Sequence, residues 1–160
     1  MSVWGAVTGG FVGTLVLTTA LRTASEFGVT RMDLPFLLGT IVSCDRSRAK
    51  ALGYIMHFAV GLIFALIYLG ILSAIGHSGW LLGALFGLVH GLFVATALVT
   101  VILPAIHPRM GSPSSAAADR PLLEAPGFMM LNYGRRTPLA TILAHVAYGT
   151  IVGGFVSLSP

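Results

Sequence analysis

Charge is what this chain has least of. Only 9% of its 160 residues are Asp, Glu, Lys or Arg, against 56% hydrophobic. A soluble domain carries roughly 25% charged residues, and a domain this small exposes too much surface for a core to hide the shortfall. Composition therefore predicts lipid as the solvent, in keeping with a mean hydropathy of +0.92. Cysteine is nearly absent as well. Cys44 stands alone, which excludes an intrachain disulfide, and its charged surroundings fit a reduced bystander thiol. No Walker sequence, HExxH, GxGxxG or nucleophile elbow occurs, so the sequence signals none of the chemistries those motifs carry. Acids are missing from the apolar runs. Glu26, Asp33, Asp45, Asp119 and Glu124 all fall outside them, which weakens any proton relay built on carboxylates.

What is present is four apolar runs, at residues 3–21, 51–75, 80–106 and 137–158. Each reaches the roughly 20 residues a spanning helix needs, and in hydrocarbon each must satisfy its own backbone, so helices are expected. The first run lacks a basic n-region and reads as a span, not a cleavable signal. The predicted fold is an all-α, four-transmembrane-helix bundle forming a single domain, 1–160. All nine Lys and Arg lie between spans one and two or between spans three and four. The positive-inside rule then puts both charged loops in the cytoplasm and both termini outside. The net charge of +4 would suggest nucleic acid in a soluble protein. Here topology and anionic lipid account for it, the bilayer is the expected partner, and no nucleic acid is.

The two halves echo each other. Gly5 to Thr18 reads GAVTGGFVGTLVLT and Gly87 to Thr100 reads GLVHGLFVATALVT, with seven of fourteen positions matching. His57-Phe-Ala-Val-Gly61 resembles His145-Val-Ala-Tyr-Gly149, and the loops share Asp33-Leu-Pro35 and Glu124-Ala-Pro126. The unit is span, loop, span, used twice in one orientation (1–76 and 77–160), so a pseudo-twofold along the membrane normal is expected. Short apolar runs after each proline read as interfacial or re-entrant pieces, with Asp33 and Glu124 as their helix caps. The insert GSPSSAAA at 111–118 reads as a flexible link.

Glycines recur every fourth residue at Gly5, Gly9 and Gly13, and at Gly83, Gly87 and Gly91. Gly149 and Gly153 continue a face shared with Thr141 and His145. Small residues at this spacing let backbones approach. The simplest arrangement sets spans one and three together at the axis, with homodimerisation as the other use of the ladders. Trp4 and Trp80 suit interfacial anchoring, and Pro104 and Pro108 suit the end of span three.

Three of the five histidines lie inside spans, where an unpartnered polar group is costly. Counting from the loop boundary places His57 and His145 about 10 Å deep and His90 about 20 Å deep. Three readings stay open. The imidazoles can bond neighbouring helices and hold the bundle together. His57 and His145 can converge on a transition metal or haem b iron, although no third ligand is evident. Or the three can line a polar path for a small solute or proton. His107 suits a cation at a helix C-terminus. His77 falls in the outer turn, and Arg135 and Arg136 are candidates for lipid phosphate.

Met32 to Thr40, Asp45-Arg46 with Ala49-Lys50, Ile106 to Met110, Leu123 to Phe128 and Asn132 to Pro138 together resemble a family of small bacterial four-span membrane proteins. The resemblance covers nearly the whole chain, least of all the 111–118 insert. It implies a bacterial inner-membrane home and assigns no functional residue. The leading expectation is a non-enzymatic bundle that binds or passes a small ligand or metal ion near His57 and His145. An accessory subunit of a larger membrane complex, or a bis-His haem b electron carrier, are the alternatives.

Overall fold

The computed structural model describes residues 1–110 and 123–158; the 111–118 insert lies outside the described residues. The chain folds as α1 (Val3–Glu26), α2 (Leu34–Gly39), α3 (Arg46–Ile75), α4 (Trp80–Ile106), a short 3-10 turn (Phe128–Tyr133) and α5 (Thr137–Leu158). Among the described residues there is no strand. The four long helices have 24, 30, 27 and 22 residues and are apolar enough to cross a membrane. At 1.5 Å per residue they run roughly 33–45 Å, more than a hydrocarbon core of about 30 Å.

Local chemistry sets the helix ends. The Ser2 hydroxyl accepts from Gly5 N–H at 3.2 Å, Asp33 from Phe36 N–H at 3.0 Å and Asp45 from Arg48 N–H at 2.8 Å, each satisfying an orphan first-turn donor. α3 stops at Gly76, whose φ of 74° is the left-handed turn that glycine tolerates. Glu124 does not cap the second short helix. Its carboxylate pairs with Arg31 at 3.3 Å, and the 3-10 turn follows Gly127 without a side-chain cap. Arg31 also donates to the Asn132 carbonyl, and its own N–H to the Tyr133 carbonyl at 2.7 Å. The two long loops are thereby tied to one another at one end of the bundle, the loop end. The Tyr133 hydroxyl donates to the Glu124 carbonyl at 2.6 Å, and burial pushes this phenol up to about 12.

Span three ends at Ile106, where its apolar run ends, two residues before Pro108, and Pro104 does not break it. The helix passes through Pro104, and the preceding stretch Val94–Ile102 widens to π-helix. Proline brings no N–H and its ring crowds the previous turn, so a widened turn just upstream is the expected accommodation. The Thr100 hydroxyl bonds the Ala95 carbonyl at 2.7 Å, five residues back.

The helix order corrects the expected pairing. The two glycine ladders do not meet each other. Both pack on α5. A Cβ on Gly9 would come within 2.8 Å of Phe155 Cβ, and one on Gly13 within 2.9 Å of the Tyr148 ring. One on Gly83 or Gly87 would strike the Gly149 or His145 carbonyl, and Gly149 and Gly153 are equally closed by the Gly83 and Gly79 carbonyls. Gly5 is buried on α1. The reason is steric: toward α4, glycine on glycine brings two backbones together, and toward α1 the bare Gly9 and Gly13 positions receive Phe155, Val152 and Tyr148 of α5. α1 and α5 bury 44% of their spanning segments, against 17% for α3 and 28% for α4, so α1 and α5 form the centre.

A twofold that matched α1 with α4 and α3 with α5 would require α3 to pack on α4 as α5 packs on α1. That fourth interface is not formed along its length. Phe64, where α5 has Val152, stacks on His90 with ring centroids 3.9 Å apart and holds the helices off one another. α2, by contrast, lies directly on α3. A Cβ on Gly39 would run into the Ala49 carbonyl, and one on Gly53 into the Pro35 carbonyl.

His107 fastens α2 to α4, and as a neutral ring. Its Nδ1 accepts from Arg109 N–H at 3.1 Å, so Nε2 carries the proton and donates to the Leu37 carbonyl at 3.1 Å, with the Thr40 hydroxyl at 3.2 Å. This replaces the expected cation: the ring is buried, and an imidazolium would lose the Arg109 bond. Burial first, then Arg109, holds its pKa below the ordinary 6.5, against the Leu37 bond. The folded state thus binds less proton than the unfolded chain, and stability present above about pH 6.5 is lost as pH falls below it. Wild-type protein is expected to lose thermal stability from pH 7 to pH 5, and His107→Asn to lose less. Equal slopes in a thermal melt would remove His107 from the account.

Candidate functional site

The gap between α3 and α4 is a cleft of about 250 Å3. Met56, Val60 and Phe64 form one wall and Val94, Leu98 and Ile102 the other. Thr14 and Leu17 of α1 join the lining, and Leu34, Leu38 and Ile41 of the α2 region close the loop end. Val60, Ile102 and Ile106 are exposed while lining it, so the cleft opens sideways, toward whatever surrounds the bundle.

Besides Thr14, four polar side chains meet in this apolar lining: His57, His90, His145 and Tyr148, each buried. The sequence-level count had separated His90 from the other two in depth. The structure brings His90 and His145 edge to face, ring centroids 4.7 Å apart. The discrepancy has a definite cause. Gly91 faces Ile142 and Gly87 faces Val146. Fifteen residues of α4 follow Gly91, whereas five of α5 precede Ile142, so α4 overshoots the start of α5 by about ten residues, or roughly 15 Å. Counting from the ends of apolar runs assumed level ends.

The hydrogen bonds assign roles. His145 Nδ1 lies 2.8 Å from the Thr141 carbonyl; a carbonyl only accepts, so Nδ1 is the donor and Nε2 of the neutral ring keeps its lone pair. His90 Nδ1 meets the Tyr68 hydroxyl at 3.3 Å. The Tyr148 hydroxyl donates to the Gly61 carbonyl at 2.5 Å, joining α5 to α3 across the cleft. His57 Nε2 is buried with no hydrogen-bond partner among the described residues, as is Thr141 Oγ1. A buried polar atom left unpaired costs on the order of 1–3 kcal/mol, and His57 sits where a cavity could supply the missing partner.

Sequence reasoning missed Phe64, Tyr68 and Tyr148, which wall in His90 at 3.9–6.0 Å between ring centroids. Phe64 and Tyr68 lie one turn apart on α3, and Tyr148 lies three residues past His145. That spacing was the available signal. Arg135 and Arg136 are exposed at the loop end, away from the cleft. His77 is exposed in the turn between α3 and α4, with Nδ1 3.1 Å from the Ile75 carbonyl. Trp4 and Trp80 are exposed at the opposite end. Among the described residues, no three of His, Cys, Asp and Glu come together as a metal-binding group. No protein-family model matches the sequence, and no curated protein or solved structure matches it.

Proposed function

We propose that this protein is a non-enzymatic bundle of the bacterial inner membrane that binds a small apolar ligand in the α3–α4 cleft. A hydrogen-bonding group of the ligand meets His57 and His145. Both termini lie outside the cytoplasm in this reading, since every Lys and Arg falls between apolar runs one and two or between runs three and four. One observation carries the assignment: an apolar cleft, open sideways, is lined by His57, whose buried Nε2 has no hydrogen-bond partner among the described residues. Pockets for small molecules pair apolar walls with a few placed polar groups in this manner.

The accessory-subunit reading loses its main support, because the glycine faces that would recruit a partner are used between α5 and its neighbours.

The test uses tritiated dodecanol and purified protein in lipid nanodiscs. Wild type is expected to retain the alcohol above empty discs. Val60→Trp or Leu98→Trp, one from each wall, should weaken retention at least tenfold. Retention equal to empty discs would overturn the reading. A Soret band that disappears in His57→Ala or His145→Ala would replace it with a haem carrier.

A further inference from the structure

A second cavity, of about 230 Å3, lies at the loop end between α1, α2 and α3. Its character is opposite to that of the cleft. Arg22, Glu26, Asp33, Lys50 and Tyr54 line it together with His57. His57 and Leu34 belong to both linings, so a single imidazole stands between a charged vestibule and an apolar cleft.

The four charges of the vestibule are not equivalent. Arg22 and Glu26 pair with each other at 3.1 Å, and Arg22 also reaches the Tyr54 hydroxyl at 3.5 Å. Asp33 accepts from Phe36 N–H as the cap of α2. Lys50, half-buried, has neither an ion pair nor a hydrogen bond among the described residues. Lys50 is therefore the charged group of the vestibule without a bonded partner among the described residues, and its ammonium is free to bind an anion from outside the chain.

Resting on the reading of the cleft as a ligand site, we propose that its ligand is a single-chain anionic amphiphile. The carboxylate or phosphate head sits on Lys50 in the vestibule, and the chain passes His57 into the cleft. Lys50, His57 and Phe64 fall at seven-residue intervals on α3, so the path spans about 20 Å, the scale of one extended chain with its head. The cleft volume lies below the roughly 300 Å3 at which drug-sized pockets begin, which suits one chain and not two. The ammonium supplies the discrimination between head groups, since a charge-assisted hydrogen bond is stronger than a neutral one.

Nanodisc retention of tritiated dodecanoate, dodecyl phosphate and dodecanol tests this, each corrected for empty discs. Wild type is expected to hold at least one of the two anions tenfold more tightly than the alcohol, and the stronger of them identifies the head group. Lys50→Gln should abolish that preference while leaving dodecanol retention unchanged. If wild type holds all three equally, or if Lys50→Gln keeps the preference, the anionic assignment fails and the cleft reading stands. If none of the three is retained above empty discs, the cleft reading itself fails and this one with it.

Discussion

Gly149→Val is expected to abolish the folded bundle. A Cβ at that position would run into the Gly83 carbonyl and stand 2.7 Å from Gly87 Cα. Both obstacles are backbone of α4, which cannot rotate away as a side chain can. Overpacking a core costs about 1–3 kcal/mol where neighbours can relax. Here α4 would have to leave α5 along the contact that also positions His90 against His145, so about 3 kcal/mol or more is expected. Gly154, with nothing within 4 Å of its Cβ position, is the control: Gly154→Ala should match or slightly exceed wild type, because alanine is the better helix former. Size-exclusion profiles and thermal midpoints in mild detergent give the readout. A Gly149→Val protein as stable as Gly154→Ala would show that α4 and α5 do not meet as described.

Gly53→Val is expected to have the next largest effect, confined to one end. Its side chain would enter the Pro35 carbonyl and lift α2 from α3. α1, α4 and α5 should keep their mutual contacts, because the atoms nearest its Cβ all belong to Pro35 and Gly39. The loss of α2 packing should cost about 2 kcal/mol and remove Leu34, Leu38 and Ile41 from the end of the cleft. Amide hydrogen exchange should then rise across α2, whose Thr40 N–H now donates to the Phe36 carbonyl at 3.0 Å, with little change in α5. Unaltered protection in α2 would contradict the placement.

Four apolar spans were legible in the sequence because hydrocarbon demands long uninterrupted runs, and nothing else in the chain imitates them. The glycine faces were legible as faces, but not their partners. Spacing tells which side of a helix is bare; it does not tell which neighbour fills it. α5 won both contacts because Gly149 and Gly153 present backbone to α4 while Tyr148 and Val152 meet α1, a division that one helical period cannot reveal. His57 and His145 were recognisable as intramembrane polar groups. His90 was misplaced because its depth depends on helix register, and register is set by side-chain contact. The neutral state of His107 was hidden for a similar reason: it requires the carbonyl of Leu37, seventy residues away. Lys50 read as one more topological charge until the vestibule showed that its neighbours already have partners.

The stand-off between α3 and α4 has a bearing on supply. If the cleft takes the ligand we propose, its doorway faces acyl chains, so that ligand would arrive after dissolving in the leaflet, not from water. Each buried methylene favours that first step by about 0.8 kcal/mol, so a compound scarcely soluble in buffer can be abundant at the threshold. Occupancy should accordingly follow the mole fraction of the compound among the lipids. Doubling the lipid at fixed protein and fixed total compound should dilute the site almost as dilution in a flask would.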